Sequence, residues 1–484
     1  MVSLSGSGPL HQQIYGAVRE SIVSGRFRPG MRLPPTRELA TQLGVSRNVV
    51  VIAYENLAAE GYVLSQVGVG TSVAKDLPDC ELWSRGDVFP GDRLPLPSHT
   101  LSAYAERALT FCREEEEPAS PLPYDFSCYR TNEEDFPVKA WRRLLSREAN
   151  ALPAGTASAQ GDPALRREFA AHLRRTRGVI CESDQVLSVN GSQQALDLVA
   201  RVLLDAGDSV AMEEPHYAGA REIFQSLGAR IAAVPVDEHG LAVDRLPPPE
   251  SGVRLVYVTP SHQFPTGAVL SLERRLALLS WAEAAGAYIL EDDSDGDYCY
   301  DAKPLAALQG LDRAGRVLYT GTFSRLLAAS LRIGYLVVPR QFRTPFAIVK
   351  RLTDRHTSPL PQQAIASFLS DGHFDRHLRR SKVRNASRRN TLLAALRCCF
   401  EGFGQILGES TGTHIFIRFP CIPVECAEAI ARAAAVKGVR IEPATGCYFD
   451  RPPCAEFLIG YNGVREPDIA PAIRLLRSVF EELR

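Results

Sequence analysis

No run of apolar residues approaches the ~20 needed to cross a bilayer as a helix, so a spanning helix is not expected. The opening MVSLSGSGPLHQQ has neither the basic segment nor the apolar segment of a secretory signal. A surplus of one charge is missing too. Lys and Arg number 55 against 56 Asp and Glu, a net charge of -1, which excludes a chain basic along its whole length and leaves any contact with a polyanion to one segment. The 11 cysteines lack order. They are scattered, and the tight pair Cys398-Cys399 has neither metal-cage nor disulfide-framework spacing. Reduced thiols, a cytoplasmic location and no metal site are the expectation. No internal repeat is visible.

What is present is ordinary globular material. With 45% hydrophobic residues over 484 positions, there is enough for two or three domains at ~150 residues each. Three textures follow one another. Residues 8–75 are helical and end in a Gly-containing hairpin, and residues 76–122 read as a linker. That linker includes FPGDRLPLPSH, the acidic run Glu114 to Glu117, and PASPLP. From residue 123 short apolar strands alternate with amphipathic helices: strands at Val186–Val189, Ser209–Met212, Leu255–Val258, Ala287–Leu290, Val317–Tyr319 and Gly334–Val338, helices at Gln193–Leu204 and Leu272–Ala285. Such alternation predicts a mostly parallel sheet covered on both faces, here over 123–375. Residues 376–484 open Arg-rich and helical, continue with strands near 413–419 and 456–461, and read as a smaller α+β domain.

Charge is unevenly shared. Residues 8–75 hold Arg19, Arg26, Arg28, Arg32, Arg37, Arg47 and Lys75 against Glu20, Glu38, Glu55 and Glu60, which is +3; the remainder is therefore -4. Within this basic segment, LPPTRELATQLGVSRNVVVIAYENLAAEG divides into helix, turn and helix. Thr36 is placed to cap the first helix, whose stripe is Leu39, Ala40 and Leu43. Gly44-Val45 makes the turn, and Ser46 caps a second helix burying Val50, Ala53, Tyr54 and Leu57 at i, i+3, i+4, i+7. Arg37, Ser46, Arg47 and Asn48 then sit exposed at helix starts, where phosphate and guanine edges are reached. Two short strands, Tyr62–Ser65 and Thr71–Ala74, around Gly68-Val69-Gly70 are expected to form a wing, with Gly70 and Thr71 as further candidate DNA contacts. In this pattern, LPxxRELAxxLGVSRxxVxxAYxxLxxEGY followed by GxGT, residues 8–75 resemble the winged helix of GntR-type regulators. The resemblance implies double-stranded DNA as partner. Two positions depart from it: Val49 stands where a phosphate-binding Thr is usual, and Gln66-Val67 where a basic residue often opens the wing. Both departures weaken backbone contacts, so the expectation is either a modest affinity or binding that leans heavily on dimerisation.

The large domain carries five strand-end segments. Asn190-Gly191-Ser192-Gln193-Gln194 opens a helix, whose free N–H groups attract phosphate. Thr320-Gly321-Thr322-Phe323-Ser324-Arg325, with Arg332 seven residues on, offers hydroxyls and guanidinium groups. Glu291-Asp292-Asp293 ends an apolar strand, at the edge where α/β sheets bind ligands. Glu214-Pro215-His216-Tyr217 presents an aromatic ring, and Thr259-Pro260-Ser261-His262-Gln263-Phe264-Pro265-Thr266-Gly267 is a further strand-end loop.

In this order the segments resemble the fold-type I aminotransferase domain, which uses pyridoxal phosphate. Joined to the winged helix, the chain resembles MocR/GabR-type regulators. The resemblance includes TPSHQFPTG and HLRRSK, and it implies a winged helix-turn-helix, an α/β transferase-like large domain, a smaller α+β domain and a homodimer. It assigns the phosphate to Ser192, Gln193, Thr322, Ser324 and Arg332, the pyridinium nitrogen to Asp292 and ring stacking to Tyr217.

Three departures lie in the site itself. Arg325 occupies the position of the Schiff-base lysine, and a guanidinium stays protonated and forms no internal aldimine. Ser294 replaces the tyrosine that bonds the ring hydroxyl, and Leu458 the arginine that grips a substrate carboxylate. No catalytic residue and no transamination are expected. If pyridoxal phosphate binds, it binds non-covalently. Alternatives for the pocket are Arg325 folded in against Asp292, which would otherwise be a buried and unpaired carboxylate, or another anionic effector held by Arg325 and Arg332, with His262 and Ser294 at its side. The leading reading is a DNA-binding transcriptional regulator that senses a small molecule. An aminotransferase with an accessory DNA-binding domain and a regulator with a ligand-free scaffold are the alternatives.

Overall fold

The computed structural model describes residues 8–66, 70–77, 101–111, 122–128, 130–150, 155, 157–300 and 305–482. The chain divides into two units, the first ending at Thr100 and the second running from Leu101 to Arg484. The tip of the wing at 67–69 and the acidic run at Glu114 to Glu117 lie outside the described residues.

In the first unit, helices Leu10–Val23, Thr36–Leu43 and Arg47–Ala59 are followed by an antiparallel pair, Val63–Gln66 with Gly70–Val73. Ile14, Val18, Ile22, Leu39, Ala40, Val50, Ala53, Tyr54, Leu57, Val63 and Val73 close one core, which includes the stripe expected of the third helix. The second helix stops at Gly44, whose φ of 66° lets the chain turn without a Cβ penalty. Pro35, not Thr36, precedes the first residue of that helix. The proline-fixed φ positions the chain for helix entry, and Thr36 Oγ1 instead accepts from Arg47 Nε at 3.4 Å. Ser46 does hold the N-cap position of the next helix, but its side chain makes no capping bond.

The second unit is built on an eight-stranded sheet in the order Val186–Val189, Gly334–Val337, Val317–Thr322, Tyr288–Asp292, Val253–Val258, Ser209–Glu214, Arg230–Asp237 and Gly240–Leu241. The five strands from Val317–Thr322 to Arg230–Asp237 run parallel. Gly334–Val337 is antiparallel to both neighbours, so the sheet is mixed. Apolar layers cover both faces, one around Leu196, Phe224 and Tyr257 and the other around Val256, Leu278 and Ile289. The helix Leu272–Ala285 begins at Ser271, whose hydroxyl accepts from Arg274 N, and ends at Gly286 in the left-handed conformation. That tight exit feeds Tyr288–Asp292 and sets Asp292 at the carboxyl edge of the sheet.

The smaller layer is not confined to the C-terminal stretch. Its antiparallel sheet joins Gln405–Leu407, His414–Phe419, Ala455–Gly460 and Glu442–Pro443. Tyr124–Asp125 pairs in parallel with Val439–Arg440, and Phe126 enters the same core as Ile415, Ile459 and Phe480. The helix His373–Phe400 runs straight through position 375, where composition divides the two parts. Within the stretch read as linker, Ala103–Leu109 is helical, and Arg107 Nε donates to the Ser226 carbonyl at 2.9 Å. Proline content hid this helix because its seven residues fall between two proline-rich segments.

Candidate functional site

Four parallel strands end together, and the loops beyond their carboxyl ends enclose a cavity of about 250 Å³. It is lined by all seven residues assigned to a cofactor, namely Ser192, Gln193, Tyr217, Asp292, Thr322, Ser324 and Arg332, and by His262, Ser294 and Arg325. Tyr257, Thr259 and Phe264 also face it; the strand pattern marks Tyr257 as core without distinguishing it as a site residue.

One end is built for an anion. Ser192 starts the helix Ser192–Leu203, whose first turn offers unpaired N–H groups. A Cβ on Gly191 would lie 2.7 Å from Arg332 Nη2, so glycine at this φ of 82° is what lets the guanidinium lie against the helix start. Arg332 Nη2 donates to the Asn190 carbonyl at 3.0 Å, and Arg332 itself holds a φ of 48°. Thr322 Oγ1 accepts from Ser324 N at 3.1 Å. The Ser324 hydroxyl is buried and has no hydrogen-bond partner among the described residues, a polar group aimed at nothing they supply.

The other end is acidic. Asp292 accepts from Tyr257 OH at 3.0 Å and from Ser294 Oγ at 2.5 Å. Burial pushes its carboxyl above the usual range, opposed by these two hydroxyl bonds. Tyr217 OH accepts from Gln193 Nε2 at 3.2 Å, and its ring meets Phe264 edge to face at 5.7 Å. These donors and acceptors fit a phosphorylated, nitrogen-containing aromatic ring, with the orphan Ser324 hydroxyl on the phosphate side. No lysine lines the cavity among the described residues. Lys350 is buried elsewhere, its Nζ donating to both oxygens of Asp354 and to Thr357 Oγ1.

Arg325 does turn inward, but its partner is Asp295 rather than Asp292. Asp292 is already satisfied by two hydroxyls, whereas Asp295 has an oxygen available to the guanidinium. The Arg325 guanidinium also sits 5.8 Å from the Phe264 ring centre. Leu458, where the resemblance expects an arginine, is buried in an apolar cluster with Cys128, Phe264 and Phe416 and is not among the residues lining the cavity. Behind the cavity Arg177 Nε donates to Asp293 at 2.6 Å, and Tyr319 OH donates to the same oxygen at 2.6 Å. His262 is buried, its Nδ1 2.8 Å from Thr411 Oγ1 and its Nε2 3.5 Å from His414 Nδ1. Burial drives the His262 imidazole well below its usual range and His414 down to about 4, so both are uncharged at neutral pH. Residues separated by 152 positions carry no spacing signal, which is why His414 escaped the sequence.

In the first unit Arg37, Ser46, Arg47 and Asn48 are all exposed, as is Gly70, and Thr71 is half-buried. Arg47 and Asn48 open the helix Arg47–Ala59, so both flank its N–H-rich end. Val49 is half-buried and packs against the core, not outward.

Residues 10–73 match the family "Bacterial regulatory proteins, gntR family", and residues 127–446 match "Aminotransferase class I and II". The chain is 38% identical over 475 residues to a probable rhizopine catabolism regulatory protein, MocR, of Rhizobium meliloti, covering 98% of this chain and 94% of that one. It is 35% identical to the HTH-type transcriptional regulator TauR of Rhodobacter capsulatus, over 90% of this chain and 89% of that one. Among solved structures, the α-aminoadipate aminotransferase LysN of Thermus thermophilus superposes with a TM-score of 0.72 at 26% identity, over 79% of this chain and 97% of LysN.

Proposed function

The chain belongs to the MocR-type regulators, a GntR winged helix joined to a class I and II aminotransferase domain, and from that premise we propose that its aminotransferase-like cavity is a sensor and not a catalytic site. The chain is a DNA-binding transcriptional regulator, as its relatives are named. In the reading we favour, a small anionic or phosphorylated effector enters the cavity and biases how a homodimer holds paired DNA half-sites.

The observation that carries this is Arg325. It occupies the lysine position, and its guanidinium is engaged by Asp295 at the cavity wall. A permanently protonated guanidinium offers no nucleophilic nitrogen, so no bond forms between this position and an aldehyde. Around it the residues that the resemblance assigns to binding still line the cavity, which supports the reading: Ser192 at the helix start, Ser324 with its hydroxyl, Arg332 and Asp292. When bound, pyridoxal phosphate would supply an electron-withdrawing ring. Here Asp292 would hold its nitrogen, while Ser192, Thr322, Ser324 and Arg332 would hold its phosphate. Leu458, buried among apolar residues at the position where the resemblance expects an arginine, supplies no grip on the amino acid carboxylate that transamination requires.

The test is an absorbance spectrum of the full chain with excess pyridoxal phosphate, before and after borohydride and desalting, alongside DNA binding with and without the compound. Any chromophore should wash away after reduction, with no added mass on the protein. A chromophore fixed to the protein by borohydride would mean that another lysine serves, and the sensor reading in its non-covalent form would fail.

A further inference from the structure

Beside the cavity, three buried side chains from three separate segments converge: His262 from the loop after Val253–Val258, Asp295 from the loop after Tyr288–Asp292, and His414 at the start of His414–Phe419. One ligand atom from each lies within 4.8 Å of the others. We propose that this cluster is a binding site for a divalent transition metal of the zinc class, with His262 Nε2, His414 Nδ1 and an Asp295 oxygen as ligands. The proposal does not rest on the effector reading, because its probe is the metal alone.

The geometry of the imidazole pair carries the argument. His414 Nε2 lies 2.9 Å from the Pro265 carbonyl, which can only accept, so this nitrogen carries the proton and Nδ1 presents a lone pair. His262 Nδ1 is tied to Thr411 Oγ1 at 2.8 Å, which turns Nε2 toward His414. The two inward nitrogens are 3.5 Å apart. That is longer than the ~2.7–3.2 Å of a sound hydrogen bond. It is close to the roughly 3.4 Å between two nitrogens that share a tetrahedral metal with bonds of ~2.1 Å. The rings stand at 75° to one another, so neither stacks on the other.

Space beside the pair is kept by a glycine. A Cβ on Gly412 would lie 2.2 Å from His262 Nε2, so the side of the imidazole that carries the inward nitrogen is clear only because residue 412 has no side chain. Gly412 also has a φ of 82°. Asp295 supplies the third ligand with a division of labour between its oxygens. Arg325 holds Oδ2, and Oδ1 lies 3.4 Å from Thr413 Oγ1 and can swing to the metal. A carboxylate anchored by a guanidinium on one oxygen and ligating with the other follows the usual pattern of an outer group orienting an inner one. His262 and Asp295 also line the cavity, so an open coordination position would face it. Two neutral imidazoles and one carboxylate leave a divalent ion with a surplus positive charge, which with Arg325 favours an anionic fourth ligand.

The experiment is equilibrium dialysis of the full chain, free of any histidine-rich tag, against zinc, followed by elemental analysis, with cobalt as a spectroscopic stand-in. The expected result is one retained equivalent of metal per chain and a visible cobalt spectrum of four-coordinate type without thiolate bands. His262→Gln and His414→Gln should each bind at least tenfold more weakly. If either variant fails to fold, X-ray absorption of the wild-type zinc form decides, with nitrogen and oxygen neighbours at ~2.0–2.2 Å and no sulfur. Wild-type protein that retains well under one equivalent, sulfur in the coordination shell, or folded variants that bind as tightly as wild type would overturn the proposal. The pair would then be a hydrogen-bonded structural contact.

Discussion

Arg325 and Asp295 form a buried-edge ion pair, with the two side chains only 12% and 7% exposed. Arg325→Lys should shift the site toward covalent chemistry: the variant, incubated with pyridoxal phosphate and reduced by borohydride, is expected to gain a permanent adduct seen by mass spectrometry, while wild type gains none. A second residue-scale consequence concerns Glu291. It is fully buried, accepts from Leu308 N and Gln309 N at 2.9 Å each, and is pushed up to about 7 by burial and by neighbouring Asp293, with Arg275 opposing. The folded chain holds that proton to about pH 7, whereas the unfolded chain releases it near pH 4.5. Across that window the folded state binds more protons, so this group makes stability fall as pH rises. Chemical denaturation at several pH values should show that slope flattened in Glu291→Gln. The residue types at the cavity were legible because each sits beside a strand end or helix start. The partner of Arg325 was not. Which of Asp292, Asp293 and Asp295 faces the guanidinium depends on side-chain direction in an irregular loop, and neighbouring carboxylates look alike in one dimension.

Among the elements, the helix Arg47–Ala59 shows how far periodicity reaches. Val50, Ala53, Tyr54 and Leu57 are all buried at their expected spacing, and the same rotation leaves Arg47 and Asn48 in solvent at the helix start. If Arg47 neutralises a phosphate, its removal releases one fewer counterion. Arg47→Ala should therefore weaken binding to specific and unrelated duplexes alike and reduce the slope of log K against log salt by about 1, measured by fluorescence anisotropy. Strand ends were less legible than strand existence. Ser209–Glu214 and Val317–Thr322 run two and three residues past their apolar stretches, because polar residues at the carboxyl ends of the strands keep their ladder pairing while their side chains find partners in the loops, and of these residues Thr322 lines the cavity. The antiparallel direction of Gly334–Val337 left no mark, since a strand buried on both faces has the same apolar composition in either direction.

For the whole molecule, the inferred +3 on residues 8–75 against -4 elsewhere separates a polyanion-facing part from the rest. A two-fold dimer would present two recognition helices, so sedimentation should report twice the chain mass. Nuclease footprinting should protect two half-sites spaced by whole helical turns of ~10–10.5 bp. A monomer protecting a single half-site would contradict this. At this scale position 375, where composition divides the two parts, falls inside the helix His373–Phe400. The smaller layer takes Tyr124–Asp125 and Phe126 from one end of the second unit and Ile415, Ile459 and Phe480 from the other.

The sequence by itself determined the winged helix, the alternating sheet and helix order, and the set of residues that line the cavity, with arginine at position 325. Each of these is written in local spacing, in chain order or in one residue's chemistry. Tertiary structure alone decided that Arg325 pairs with Asp295, that the small layer draws on both ends of the second unit, and that His262 meets His414 across 152 positions. These depend on contacts between distant segments, which the closing of a shared core fixes and no local pattern records.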